Sequence, residues 1–63
     1  MSYFTAEELA KEAERELRYR LFVYSRLVEE GKLSKVMAKR RIAMMEEIAQ
    51  QLRTKAETKE RLL

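Results

Sequence analysis

Apolar positions recur along this chain at intervals of three and four residues, with little interruption from Ala6 to Ala56. Placed at about 100° per residue, Ala6, Ala10, Ala13, Leu17, Leu21, Tyr24 and Val28 fall within about 40° of one line. Leu9, Val23 and Leu27 form a flank beside it. A second stretch gives Ala38, Ile42, Met45, Ala49, Leu52 and Ala56 as its main line, flanked by Met37, Met44 and Ile48. This spacing predicts two amphipathic helices packed against each other.

The helix ends are also written locally. Thr5 followed by Glu8 reads as a capping box, and Phe4 and Leu9 stand at the spacing of a hydrophobic staple. Glu7 and Glu8 lie in the first turn, where the helix dipole favours negative charge. Gly31, the only glycine, is placed as a left-handed C-cap, with Leu33 available for the apolar contact that accompanies it. Ser34 caps the second helix. One all-α domain is therefore predicted: helix 1 over about 6–30, a turn over 31–34 and helix 2 over about 35–60. Residues 61–63 are expected to fray, and Glu57 stands at pairing distance from Arg61 on the helix surface. So short a connection forces an antiparallel hairpin, each helix being about 37 Å long.

Both apolar stripes are wider than one partner helix can cover. Two hairpins packing into an antiparallel four-helix bundle, related by a twofold axis, would cover them. Burying three large flank residues per chain contributes roughly 5–8 kcal/mol before entropy costs, at about 1.5–3 kcal/mol each. That is comparable with the whole stability of a small domain, so a homodimer is expected. Leu17, Leu21, Tyr24, Val28, Ile42, Met45, Ile48 and Leu52 are its predicted core. Met37, Met44 and Met45 are expected to fill gaps in that core instead of forming an adaptable binding surface.

Composition sharpens this picture. A chain of 63 residues and 7.6 kDa buries only about 60% of the surface its unfolded form exposes. Such small domains lean on disulfides, a structural metal or association. With Cys 0 and His 0 the first is excluded and a structural zinc site with it, which leaves self-association. Without His, Cys or Asp, a general base would have to be Glu, Lys or Tyr, in a cavity that two helices cannot enclose. Glu46 and Glu47 are adjacent and point about 100° apart, a poor arrangement for shared acid–base work. A non-enzymatic protein with no cofactor and no metal is the expectation. No apolar run approaches the roughly 20 residues that span a bilayer, and no cleavable leader pattern opens the sequence. No membrane partner and a cytoplasmic location are expected.

Two surface features stand outside the core pattern. Arg15, Tyr19, Phe22 and Arg26 form a stripe away from the main line of helix 1, and arginine-flanked aromatics are the composition of an interface hot spot. The alternative is that the rings are buried against the second hairpin. Charge is also uneven. Residues 1–17 carry five Glu against Lys11 and Arg15, a balance of −3, whereas residues 31–41 carry Lys32, Lys35, Lys39, Arg40 and Arg41 with no acid, a balance of +5. This basic patch suits an acidic protein surface or a phosphate backbone, or it is a solvated face that pairs with acids on a second chain. Long antiparallel helices do not match the short crossed helices of a helix–turn–helix reader.

Three sequence words carry a family likeness: Glu16-Leu17-Arg18-Tyr19-Arg20-Leu21-Phe22-Val23-Tyr24, Leu27-Val28-Glu29-Glu30-Gly31-Lys32-Leu33 and, after Ala38, Ile42-Ala43-Met44-Met45-Glu46-Glu47-Ile48. In this order they resemble short phage and prophage proteins that read E-L-R-x-R-x-x-V-Y, a valine before G-K/R-L/M, then A-x-x-x-I-A-x-M-E-x-I. Early proteins encoded in the exo–xis region of lambdoid phages are similar, and the likeness spans about half the chain. Many relatives have tryptophan where this chain has Leu27, which changes how the core is filled. The resemblance implies a helical hairpin and an early phage product acting in the bacterial host. It also implies an influence on host replication, the cell cycle or the lytic–lysogenic choice. The expected function is a dimerising module that binds a host protein through Arg15, Tyr19, Phe22 and Arg26, with Lys39 and Arg40 as a steering patch. A nucleic-acid-binding regulator using Lys32, Lys35, Lys39, Arg40 and Arg41 is the alternative.

Overall fold

The computed structural model describes residues 3–61, and their side chains as far as residue 58. Two helices, α1 (Ala6–Glu29) and α2 (Lys35–Arg61), pack against each other as a hairpin of 48 × 18 × 18 Å, with no strand among the described residues. The fraying expected at Leu62 and Leu63 and the Glu57–Arg61 pair lie outside the described residues.

Each helix end is closed by its own sequence. The Thr5 hydroxyl accepts from the Glu8 N–H at 3.1 Å, and the Thr5 N–H donates to Glu8 Oε1 at 3.2 Å, so both halves of the capping box are made. At the other end of α1, Gly31 has φ +73°. Its N–H donates to the Val28 carbonyl at 3.1 Å, while the Lys32 N–H reaches the Leu27 carbonyl at 2.9 Å. These two bonds make a Schellman motif. A Cβ added at Gly31 would meet nothing within 4 Å, so glycine is needed there for its backbone conformation and not for space. The Ser34 hydroxyl then accepts from the Met37 N–H at 3.1 Å and starts α2. No acid stands in the first turn of α2, and Lys35 occupies it instead, against the preference of the helix dipole.

The seam between the helices is made almost entirely of alanine. Among the described residues, Ala10, Ala13, Ala38, Ala49 and Ala56, with Met45, are the buried ones, each at 6% exposure or less. Ala13, Met45 and Ala49 form its centre, against which Leu17 and Leu52 pack half-buried. Tyr24, Val28 and Ile42 continue the line towards the turn, also half-buried. Small side chains let helix axes approach at the near end of the roughly 8–10 Å range, and large side chains are then displaced to the sides.

That displacement leaves several of the residues expected in the dimer core, Ile48 among them, outside the hairpin's own seam. Leu21 was placed on the main line of α1 but is exposed, because it sits about 40° further round the helix than Leu17, beyond the edge of the narrow seam. Of the three methionines expected to fill core gaps, only Met45 does so in the hairpin; Met37 and Met44 are exposed. An alanine seam leaves no gap for them to fill.

Ala13→Leu is therefore expected to destabilise the fold by about 1–3 kcal/mol through overpacking, measured by urea denaturation. Ala43→Leu, on an exposed position of α2, should change stability by no more than about 0.5 kcal/mol. Equal effects at the two positions would mean that the seam is not close-packed.

Candidate functional site

The two sides of the alanine seam differ in chemistry. On one side, Arg53 of α2 holds two carboxylates of α1. Its Nε and Nη2 donate to the two oxygens of Glu14 at 2.9 and 2.8 Å, and its Nη1 donates to Glu7 Oε2 at 2.6 Å. Glu7 and Glu14 are seven residues apart, two turns along the same edge of α1. The hydrogen bonds from Arg53 hold the Glu14 carboxyl below the usual carboxylate range, with burial opposing and the charges of Arg53, Arg18 and Lys11 assisting. The same bonds to Glu14 raise the guanidinium further above its ordinary value, and its bond to Glu7 adds to this. Nothing in the core periodicity pointed to this clasp. The available signal was the seven-residue spacing of Glu7 and Glu14 with Arg53 one position past Leu52, at the border of the apolar line of α2.

On the other side the seam is open and apolar. In α1 the flank of Leu9, Val23 and Leu27 lies on the opposite edge from Glu7 and Glu14, and in α2 Met37, Met44 and Ile48 lie on the opposite edge from Arg53. For antiparallel helices facing each other, equal senses of rotation converge on one side, so the two flanks share a single face. Met44 and Ile48 are 47% and 48% exposed, Leu9 and Met37 are exposed as well, and Val23 and Leu27 are half-buried. The one ion pair set among them on α1 is Arg20 Nε to Glu16 Oε1 at 3.0 Å.

The aromatic stripe occupies the back of α1, about half a turn from the seam. Tyr19 and Phe22 are 63% and 69% exposed. The Arg26 guanidinium carbon stands 5.6 Å from the centre of the Phe22 ring, within cation–π range. Arg15 is drawn to the other end of the stripe, 4.0 Å from Glu12. The structure thus brings Phe22 and Arg26 together, and Tyr19 and Arg15 beside them, on a surface that the hairpin does not use.

The five cations of the basic region are all exposed. Lys32 pairs with Glu30 at 3.2 Å. Lys35, Lys39, Arg40 and Arg41 are distributed around the circumference of α2 and do not align along one edge. They make the turn end of the hairpin electropositive without forming a groove. Among the described residues no group of carboxylates is arranged to hold a metal ion, and no helix is long and apolar enough to cross a membrane.

The clasp carries a pH dependence. Because Glu14 has a lowered pKa in the folded state, its contribution is present above the unfolded-state value of about 4.3 and is lost as pH falls through the lower folded value. Glu14→Gln should lower the melting temperature at pH 7, and the gap to the unsubstituted protein should narrow through that acid window. A gap that is constant from pH 7 to about 2 would exclude the ionised clasp as its cause.

Compared with protein-family models, with curated proteins and with solved structures, the chain gives no match.

Proposed function

We propose that this chain is a self-associating interaction module: two hairpins form a four-helix bundle, and the outer surface of that bundle binds a protein partner and acts on it by occupancy. The observation that carries this reading is the apolar face opposite Arg53. The chain exposes 5526 Å², whereas a compact protein of 7.6 kDa exposes about 4,300 Å². The excess of about 1,200 Å² per chain exceeds the roughly 800 Å² that each partner commits to a standard interface. A second hairpin of the same length would cover this face from end to end.

The back of α1 stays outside such a bundle, since Tyr19 and Phe22 point away from the seam. This favours a role for Arg15, Tyr19, Phe22 and Arg26 in binding another protein over burial of the rings between hairpins. An exposed ring such as Phe22 held beside a guanidinium is a suitable anchor for such a contact. The resemblance to phage early proteins makes a bacterial host factor, acting in replication or cell-cycle control, the partner to test, with Lys39 and Arg40 steering an acidic surface. Nucleic-acid binding through Lys32, Lys35, Lys39, Arg40 and Arg41 has the local charge of +5 in its favour, but the cations do not line one edge that could follow a phosphate backbone.

Self-association predicts a melting temperature that falls on hundredfold dilution, because the bundle and the folded chain are linked by mass action. A melting temperature independent of concentration would remove the bundle. Tyr19→Ala combined with Phe22→Ala should leave helical content and sedimentation unchanged while abolishing capture of the partner from host lysate. If the double variant unfolds or dissociates instead, the rings belong to the core and the proposed surface is wrong.

A further inference from the structure

The open apolar face fixes more than the fact of association; together with the charge pattern it selects an orientation. We propose that two copies stack through this face with their long axes reversed, the basic turn of one lying over the acidic open end of the other. This rests on the self-association argued above.

Two twofold arrangements stack one such face on another. With the axis along the hairpin, turn lies on turn and α1 of one copy lies on α2 of the other. With the axis across the hairpin, turn lies on open end and each helix lies on its own copy. Residues 18–47, the turn half, carry eight Lys and Arg against four Glu, a balance of +4. The open half, residues 1–17 and 48–63, carries six against seven, a balance of −1. Turn on turn therefore sets +4 against +4, and the reversed stack sets +4 against −1.

The face itself gives the same answer. Leu9 and Leu27 stand nine residues either side of Arg18, and Glu16 and Arg20 stand two either side. With α1 antiparallel to its own copy about that level, Leu9 meets Leu27 of the second copy and Glu16 meets Arg20 of the second copy. On α2, Met44 and Ile48 meet Ile48 and Met44 of the second copy. In the turn-on-turn stack, residues of α1 and α2 at the same level face each other. Leu9 would then meet Lys55, Glu16 would meet Ile48, and Val23 would meet Arg41. Apolar groups oppose charged ones at three levels there, whereas the reversed stack leaves one such pairing at those levels, Met37 against Lys55 of the second copy. A reversed interface with the basic turn held over Glu-rich sequence also leaves the aromatic back of α1 on the outside at both ends.

The chain has no cysteine, so single cysteines report the arrangement without background. Leu9→Cys mixed with Leu27→Cys should form an inter-chain disulfide at least about tenfold faster than Leu9→Cys mixed with Lys55→Cys, under the same mild oxidation. The opposite ranking, or no cross-link in either mixture from a protein that sediments as a dimer, overturns the orientation. A protein that sediments as a monomer overturns the self-association itself, which separates the two failures. The unsubstituted protein supplies a second measurement that no cysteine can perturb. Its dimer dissociation constant should rise several-fold from low salt to about 0.5 M, as the attraction between unlike ends is screened. A dissociation constant that falls with salt would mean like ends together and would overturn the proposal.

Discussion

The rest of the structure depends on the use of alanine where the two helices meet. A small side chain at Ala10, Ala13, Ala38, Ala49 and Ala56 removes the steric need for separation, so the helices can pack closely along the seam. Close approach has a cost in coverage. A narrow seam shields a narrow strip, and the larger apolar groups that a wider helix pair would enclose are left at its edges. Among the described residues no large side chain is fully buried. The hairpin is in that sense well joined and poorly covered, and its apolar edges follow from its tight centre.

An alanine seam is also repetitive, and repetition invites slippage. One alanine fits opposite another about as well as opposite the next, so shape alone sets the register weakly. Arg53 supplies the missing discrimination. It spans Glu7 and Glu14, and its two-pronged contact goes to Glu14. Sliding α1 by two turns would leave the guanidinium with one carboxylate and the other without its partner. Partial exposure keeps the energetic weight of such a pair small, so its value lies in choosing among registers more than in strengthening the chosen one.

What the sequence disclosed and what it withheld divide along a physical line. The caps at Thr5 and Ser34 and the left-handed Gly31 were legible because each depends on residues within a few positions of itself. The identity of the main apolar lines was legible for the same reason, since 100° per residue is a local rule. The separation of the helices was not, because it depends on which side chains from two distant segments face each other; hence Leu21, Met37, Met44 and Ile48 stand outside the seam of the single hairpin. Arg53 was missed outright, as its partners lie 39 and 46 positions away and no periodicity links them. The candidate surface residues Arg15, Tyr19, Phe22 and Arg26 could be placed on one stripe from spacing alone. The contact of Arg26 with the Phe22 ring needed the structure.

The turn at Gly31 bears on the order of events after synthesis. Its hydrogen bonds, and those of the caps on either side, use only groups of the same chain. Closing such a short connection is an intramolecular step on the timescale of microseconds, whereas meeting a second copy is a collision whose frequency scales with concentration. Under the proposed self-association, each newly made chain would accordingly pass through a solitary hairpin stage with its greasy side bare. The length of that stage is set by how much of the protein has accumulated. A sparse supply prolongs it, and an abundant supply ends it quickly, so the rate of production governs how long the bare side is open to other molecules.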